Sequence, residues 1–319
     1  MENADLRNLS VPRRVNASND MKPLAITCGD PAGVGPEIIE RWLSDENSLP
    51  NTEVIGPKCW LDSLPETVKK RSVGANDYCL DPGAPSAAGA KIAWEAMQLA
   101  AAGCREGRYA GVVTGPVSKS DLAAIGYPHP GQTEFFATEW GGDPVMAFHS
   151  DHLRISLATW HVPLAEVPEA LTPESIARAI GAVAQLAQAD GIAEPRIAVC
   201  GLNPHAGEAG LLGNEETTKI NPLLDQLRQD MPGLSPCLPG DTVFGRALKG
   251  EFDAVVAMYH DQGLGPLKTI DFDNAVNVTL GLPHVRTSPD HGTGFGIAGQ
   301  GIASATSFGR AVDLAWRLS

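Results

Sequence analysis

The sequence predicts a mostly parallel α/β fold, and three observations carry that prediction. Short apolar runs recur along the chain, and each is followed by a loop rich in Gly, Pro, Asn, Asp or His and then by a helix-like pattern. Continuous apolar runs of this length are typical of strands covered on both faces, and strands that alternate with helices form parallel sheets. The 34 glycines and 25 prolines among 319 residues supply the turns that many short elements need.

Five apolar runs are the predicted strands. In chain order they cover residues 24–27, 111–113, 154–158, 197–200 and 254–258. Ligands of parallel α/β proteins bind at the carboxyl ends of the strands, so the loops that follow these runs are the first place to look for a site.

One helix, between the third and fourth runs, is marked at both ends. Thr172 is a good N-cap, Pro173 suits the first helical position, and Gly191 would end the helix. The residues of its predicted buried face recur at helical spacing: Ile176, Ile180, Val183, Ala184 and Ala187.

The charge of the chain excludes some partners. Its formal net charge is −14 and its pI is about 4.9, so the surface repels nucleic acid and anionic membranes. An anionic substrate would therefore need a local cationic pocket. No apolar stretch approaches the length of a membrane span, and residues 1–20 lack the apolar core of a signal peptide. We expect a cytoplasmic protein in which residues 1–20 form a flexible N-terminal tail.

Three histidines, His161, His205 and His260, each fall just past a predicted strand. Neutral imidazole is a common ligand of zinc and similar ions, and three protein ligands with one open position is a catalytic arrangement. Because carboxyl ends of parallel strands meet at one edge of a sheet, the three side chains could converge on one ion. The alternative, that each is a capped or solvated loop residue, stays open on position alone.

Cationic and amide side chains follow in a segment that we interpret as rich in loops. Lys268, Asn277 and Arg286 lie there, and Lys and Arg are the usual partners of phosphate and carboxylate. Solvated surface charge is the alternative interpretation. Asp241 and Asp261 are predicted loop carboxylates. Such groups can orient a histidine ligand or take part in proton transfer. The alternative interpretation is that both are hydrated surface groups.

The sequence contains no standard dinucleotide-binding motif. Residues 294–299 match G-x-G-x-x-G, but the match does not follow an apolar strand as that fingerprint requires, and we interpret its glycines as turn and helix-entry residues. Residues 29–35 fit neither this fingerprint nor a Walker A loop. The sequence therefore assigns no cofactor-binding residues.

Six longer segments together resemble the 4-hydroxythreonine-4-phosphate dehydrogenase family. They are ITCGDPAGVGPEI (26–38), TGPVSK (114–119), GQTEFFA (131–137), CGLNPHAGE (200–208), MYHDQGLGPLK (258–268) and NVTLGLPHVRTSPDHGT (277–293). They occur in order, and the resemblance covers essentially everything after residue 20.

The resemblance implies a homodimer of two-domain α/β/α subunits, related to isocitrate and isopropylmalate dehydrogenases. The implied active site lies in a cleft between the domains, near the dimer interface. The domains expected are residues 21–128 with 298–319, and residues 129–297, of which the second carries most of the metal and substrate residues.

The resemblance also implies roles for individual residues. Histidines from both subunits that hold one divalent metal (zinc, magnesium or cobalt) match His161, His205 and His260. The substrate-contacting residues match Thr133, Lys268, Asn277 and Arg286. The residues implied for catalysis match Asp241, Asp261 and Lys268. Gln132 replaces the histidine of the family's G-H-T-E motif, and we expect its NH2 group to hydrogen-bond the substrate.

The implied activity is NAD(P)-dependent oxidation of 4-phosphooxy-L-threonine at C3, followed by decarboxylation, in vitamin B6 biosynthesis. One alternative is a dehydrogenase of a related four-carbon sugar acid, threonate or erythronate 4-phosphate. The other is a non-catalytic module that binds metal or phosphate. None of these interpretations includes nucleic acid or a membrane as a partner.

Overall fold

The computed structural model describes residues 22–44 and 51–319, so the predicted tail over residues 1–20 lies outside the described residues. Contacts divide the described chain into two compact units. The larger unit comprises Lys22–Leu153 and Leu264–Ser319, and the smaller unit comprises Arg154–Gly263. The domain boundaries predicted after residues 128 and 297 differ from these, because a strand at 145–149 pairs with a strand at 276–280 and keeps that part of the chain in the larger unit.

The larger unit is built on a mixed sheet whose strands lie in the order β3-β2-β1-β4-β11-β10-β5. Their bounds are β1 (Leu24–Thr27), β2 (Thr52–Pro57), β3 (Lys69–Val73), β4 (Gly111–Thr114), β5 (Val145–His149), β10 (Val276–Leu280) and β11 (Val285–Pro289). The pairs from β3 to β11 are parallel, whereas β10 runs antiparallel to both β11 and β5.

The smaller unit is built on four parallel strands in the order β6-β9-β7-β8. Their bounds are β6 (Arg154–Leu157), β7 (Ile197–Cys200), β8 (Leu234–Leu238) and β9 (Ala254–Ala257). All five apolar runs singled out in the sequence are therefore strands, and the prediction of a mostly parallel α/β fold is confirmed.

The helices pack on these strands. Within the described residues they are α1 (Gly35–Leu43), α2 (Lys58–Leu61), α3 (Ala87–Arg105), α4 (Lys119–Ala124), α5 (Gln132–Trp140), α6 (Val167–Ala170), α7 (Pro173–Ala189), α8 (Asn221–Leu227), α9 (Gly240–Leu248), α10 (His260–Asp271) and α11 (Thr306–Leu318). In the larger unit α3 packs on β1, β2 and β4, and α11 packs on β4, β10 and β11. In the smaller unit α7 packs on β6 and β9. Among the described residues, no helix combines the length and the apolar character needed to cross a bilayer.

Helix α7 begins as its sequence predicts. Thr172 is the N-cap, its hydroxyl accepts from the backbone N–H of Ser175, and Ser175 in turn caps the N–H of Thr172. The residues of the predicted apolar face are all buried: Ile176, Ile180, Val183, Ala184 and Ala187. Gly191, with φ of 90°, follows the end of the helix.

Candidate active site

The three histidines of interest follow three neighbouring strands of the smaller unit. His161 lies in the loop after β6, His260 is the first residue of α10 after β9, and His205 lies in the loop after β7. Because β6, β9 and β7 are parallel neighbours, these three segments emerge at the same edge of the sheet.

Two of the histidines lie side by side. The ring centroids of His161 and His260 are 5.6 Å apart, and both rings line a cavity of about 260 Å³. Trp160, Tyr259 and Asp261 also contribute to the walls of this cavity. The arrangement places two imidazoles around a pocket large enough for an ion and part of a small ligand.

Carboxylates hold the rings of two histidines through Nδ1. The His260 Nδ1–H donates to Asp261 Oδ1 at 2.7 Å, and the His205 Nδ1–H donates to Glu208 Oε2 at 3.0 Å. The direction follows from the carboxylates, which can only accept. A carboxylate on Nδ1 fixes the tautomer in which Nε2 carries a lone pair, which is the common arrangement of a metal-ligating histidine.

The structure corrects the expected surroundings of both aspartates. Asp261 lies in the first turn of α10 and Asp241 in the first turn of α9, not in loops. Asp261 orients His260. Asp241 is exposed to solvent. The preceding residue, Gly240, lies close to Gln262, since a Cβ added to Gly240 would be 3.0 Å from Gln262 Nε2.

The donor set fits a divalent transition metal. Three imidazoles, two of them with carboxylates on Nδ1, suit zinc or cobalt better than magnesium, which prefers oxygen ligands. Within the described residues, no group of three or more His, Cys, Asp or Glu side chains of one chain is close enough to hold an ion. The family resemblance draws the three histidines from two subunits, so a single chain is not required to bring them together.

The segment that presents His205 has an unusual backbone. Five consecutive residues, from His205 to Ala209, have φ between 43° and 79°, and four of them are not glycine. For L-residues the left-handed region costs about 1–2 kcal/mol each, so other contacts must stabilise the run. His161 also has a positive φ, 51°. Such strain is found where the surrounding structure fixes a functional side chain.

One side chain ties the His260 segment to the His205 segment. Gln262 Oε1 accepts from the backbone N–H of Met258 at 2.7 Å, and its Nε2 donates to the carbonyl of Gly201 at 2.8 Å. The loops after β9 and β7 are therefore fixed to each other by an amide at the point where both strands end.

The larger unit contains a buried cation. Arg286, on β11, is only 4% exposed, and its Nε and Nη2 donate to Thr114 Oγ1 at 3.1 and 2.9 Å. Its Nη1 donates to Asn277 Oδ1 at 3.3 Å and Thr279 Oγ1 at 3.5 Å. Burial lowers the pKa of Arg286 to about 10, against the opposing influence of Tyr127 and Glu134.

This guanidinium is charged at neutral pH and bonds to neutral groups. None of the ion pairs within the described residues includes Arg286. A buried charge without an ionic partner is costly, and a bound anion would offset that cost. The surroundings of Arg286 thus have the electrostatic character of an anion receptor. The expectation of loops around Asn277 and Arg286 was wrong, because both residues lie on paired strands, β10 and β11.

Two residues at the start of α5 lie beside this group. Thr133 is buried, and its Oγ1 is 3.4 Å from Thr279 Oγ1. Gln132 Nε2 donates to the carbonyl of Gly115 at 3.3 Å, while its Oε1 is buried and has no hydrogen-bond partner. One N–H of the NH2 group that we expected to face the substrate is thus used within the protein, and the second N–H and Oε1 remain available to a ligand.

Lys268 lies near the end of α10 and is half-exposed. Its Nζ lies 3.2 Å from Asp290 Oδ2 and 5.4 Å from the centre of the Phe272 ring. The segment that carries it is helical, so the expectation of a loop is corrected here as well. A partly hydrated lysine with one carboxylate partner can still reach an anion as a point charge.

Several residues of these sites were not singled out from the sequence. Thr114 and Thr279 complete the surroundings of Arg286, and Glu208 supports His205. A signal existed for all three, because each lies inside one of the motifs or directly follows a predicted strand. What the sequence could not supply was the pairing of β10 with β11 that brings Thr279 opposite Arg286.

Comparisons with known proteins identify the family to which this chain is similar. The profile of a family described as "Pyridoxal phosphate biosynthetic protein PdxA" matches residues 43–315. A 4-hydroxythreonine-4-phosphate dehydrogenase of Bradyrhizobium diazoefficiens is 42% identical over 95% of this chain and 99% of its own length. The crystal structure of a 4-hydroxythreonine-4-phosphate dehydrogenase from Klebsiella pneumoniae superimposes with a TM-score of 0.79 at 33% identity, covering 93% of this chain and 99% of that one. A terephthalate 1,2-cis-dihydrodiol dehydrogenase from Burkholderia xenovorans is similar at 27% identity, with a TM-score of 0.69, over 92% and 97% of the two chains.

Proposed function

The chain belongs to the PdxA family of pyridoxal phosphate biosynthetic proteins, and from that premise we propose that it is an NAD(P)-dependent dehydrogenase of 4-hydroxythreonine 4-phosphate. The reaction oxidises C3 of the substrate: hydride passes to NAD(P)⁺ and the hydroxyl proton is released. The product, 2-amino-3-oxo-4-phosphooxybutanoate, is a β-keto acid that loses CO2 to give 3-amino-2-oxopropyl phosphate. This is a step of vitamin B6 biosynthesis.

The observation that carries the proposal is the buried guanidinium of Arg286. The substrate bears a phosphate and a carboxylate, and a protein of net charge −14 needs a local cation to accept either group. Arg286 is held by Thr114, Asn277 and Thr279, all neutral, so its charge remains available to an anion. These bonds use four of the five guanidinium N–H groups, so one N–H on Nη2 remains for a direct hydrogen bond to the anion. Lys268 adds a second, more mobile positive charge.

The histidines of the smaller unit are the proposed ligands of a divalent metal, zinc or cobalt in preference to magnesium. Such an ion would lower the pKa of a coordinated hydroxyl and stabilise negative charge that develops on its oxygen. Asp261 and Glu208 hold the Nδ1 atoms of His260 and His205, so that Nε2 of each ring is free to act as a ligand. Asp241 and Lys268 are the proposed groups for proton transfer.

The chain is proposed to act as a homodimer in the cytoplasm. The family resemblance draws the metal ligands from two subunits, and the grouping of His161 with His260 fits a chain that supplies two of the three. We propose either NAD or NADP as the cofactor.

The test follows reduction of the nicotinamide at 340 nm with 4-phosphooxy-L-threonine as substrate. We expect NADH formation that a chelator abolishes and that zinc or cobalt restores. The variant Arg286→Ala should raise the KM for the phosphorylated substrate by about one to two orders of magnitude, the usual effect of losing a charged hydrogen bond to a buried anion, with little change in the KM for NAD. Activity that survives chelation, or an equal rise in both KM values, would contradict the proposal.

The same assay distinguishes a second candidate. Gln132 replaces a family histidine, so a related acid, threonate or erythronate 4-phosphate, is the other substrate to be compared. Turnover that is faster with a sugar acid 4-phosphate than with the amino acid would assign the chain to that reaction. Binding of the phosphorylated ligand without nicotinamide reduction would instead indicate a non-catalytic module.

A further inference from the structure

A buried carboxyl group lies directly beneath the left-handed run that presents His205. Glu216 has no solvent exposure and belongs to the single π-helical turn Glu216–Ile220, eleven residues along the chain from His205. π-turns of this kind are rare and occur most often at functional sites. Glu216 belongs neither to the proposed metal site nor to the group of residues around Arg286.

The oxygens of Glu216 accept hydrogen bonds from Asn203, two residues before the left-handed run. Oε1 accepts from the backbone N–H of Asn203 at 2.7 Å, and Oε2 accepts from Asn203 Nδ2 at 3.0 Å. Glu215 Oε2 also accepts from Asn203 Nδ2, at 2.7 Å. Asn203 is therefore fixed through both its backbone and its side chain, two positions before His205.

The same carboxyl group occupies the space against the middle of the run. A Cβ added to Gly207 would lie 2.6 Å from Glu216 Oε2, and one added to Gly201 would lie 3.1 Å from Glu216 Oε1. Two features therefore favour glycine at position 207. Its φ of 79° lies in the left-handed region, and the close approach of Glu216 leaves no room for a side chain. Glu216 therefore holds the chain just before the run, at Asn203, and approaches the centre of the run at Gly207.

We propose that Glu216 is a positioning residue that holds residues 205–209 in the left-handed conformation and thereby fixes His205 for metal binding. The inference rests on the proposed role of His205 as a metal ligand. The run is intrinsically unfavourable because four of its residues are not glycine. The hydrogen bonds that Asn203 donates to the buried carboxylate of Glu216 compensate for it, so their loss frees the run and moves the imidazole.

The test compares Glu216→Gln with the matched control Glu215→Gln. The amide at 216 keeps the volume of the side chain but presents an NH2 group to one of the two donors of Asn203, so one hydrogen bond is lost. The amide at 215 retains an oxygen for Asn203 Nδ2 and touches no backbone donor of that residue. Cobalt(II) is titrated into each metal-free protein and followed by its visible absorbance.

We expect Glu216→Gln to weaken cobalt binding about 10- to 100-fold, the range typical of residues that support a metal ligand, and Glu215→Gln to change it less than about threefold. At saturating cobalt, kcat of Glu216→Gln should recover and its substrate KM should stay near that of the wild type. General destabilisation would instead lower the fraction of folded variant without changing the cobalt affinity of the folded protein. If Glu216→Gln does not fold, Asn203→Ala removes one donor to the same carboxyl group and should give a smaller loss in the same direction.

A second readout needs no metal. Amide hydrogen exchange over residues 201–214 of the metal-free protein should be faster in Glu216→Gln and unchanged in Glu215→Gln. Equal cobalt affinity and equal exchange in Glu216→Gln and the wild type would overturn the inference and leave the proposed function standing. A wild-type protein that binds no cobalt would overturn the metal function, while faster exchange in the variant would still establish Glu216 as the support of the run.

Discussion

Arg286 is a buried side chain that is charged at neutral pH and donates its hydrogen bonds to neutral groups. Its hydrogen bonds to Thr114, Asn277 and Thr279 fix the plane of the guanidinium, and its burial keeps water from screening the charge. A residue in these surroundings differs from a surface arginine, because its interaction with a phosphate or carboxylate occurs at low dielectric. The attraction of this region for an anion thus depends on one side chain more than on the number of cations nearby.

Arg286→Lys tests this dependence through pH. The pKa of Arg286, lowered by burial to about 10, still leaves the group charged at pH 8. An unperturbed lysine has a pKa of about 10.4, so the same burial would bring its titration closer to neutrality. As the pH rises from 6.5 to 9, the variant should lose its positive charge and its substrate KM should increase, while the wild-type KM stays flat. Parallel pH profiles of the two proteins would contradict a buried, desolvated site.

Gln132 gives a second prediction at this scale. It is the first residue of α5, and its Oε1 is buried without a partner while Nε2 is engaged by Gly115. Gln132→His should add a protonation step to substrate affinity, with tighter binding at low pH. A cation at a helix N-terminus is disfavoured, so the step should lie at or below the unperturbed histidine pKa of about 6.5.

The substrate phosphate also titrates near pH 6, so the quantity to compare is the ratio of variant to wild-type affinity at each pH. A ratio that does not change between pH 5.5 and 7.5, together with a silent Gln132→Ala, would remove Gln132 from the site.

At the scale of the elements, prediction from sequence succeeded where one physical pattern dominated. The five apolar strands and helix α7, with its Thr172 cap, follow from apolar runs and capping chemistry that act locally. Strands β10 and β11 were missed because neither is a continuous apolar run: Asn277 and Thr279 alternate with apolar residues in β10, and β11 is mostly polar. The two strands pair with each other as an antiparallel hairpin, but their other partners, β5 and β4, are distant in sequence, and periodicity cannot reveal those pairs.

The cap of α7 makes a prediction for the smaller unit. Thr172→Ala removes the acceptor for the Ser175 N–H, and loss of such a cap typically costs about 1 kcal/mol of unfolding free energy. Thr172→Ser retains the hydroxyl and should remain close to the wild type. Urea unfolding monitored by circular dichroism measures both variants, and equal midpoints for Ala and Ser would show that the cap does not support the helix.

At the scale of the whole molecule, the two units carry different parts of the proposed chemistry. The smaller unit presents imidazoles at the ends of parallel strands, and the larger unit presents a buried cation with hydroxyl and amide groups. The acidic surface of the chain repels anions in general, so the proposed binding of an anionic substrate depends on the positive charges of Arg286 and Lys268. Sequence motifs identified both groups of residues, but the unit to which each belongs depends on strand pairing.

A prediction about assembly follows from the spacing of the histidines. The ring centroids of His161 and His260 are 5.6 Å apart in one chain. A metal shared between two copies would therefore take these two ligands from one copy and His205 from the other. Dimers that combine His205→Ala with His260→Ala, isolated through two different affinity tags, should then contain one intact site and recover about half of the wild-type activity. Each variant alone should be inactive. Dimers that combine His161→Ala with His260→Ala should stay inactive, because both of their sites are defective. Recovery in the second combination, or its absence in the first, would contradict this division of ligands.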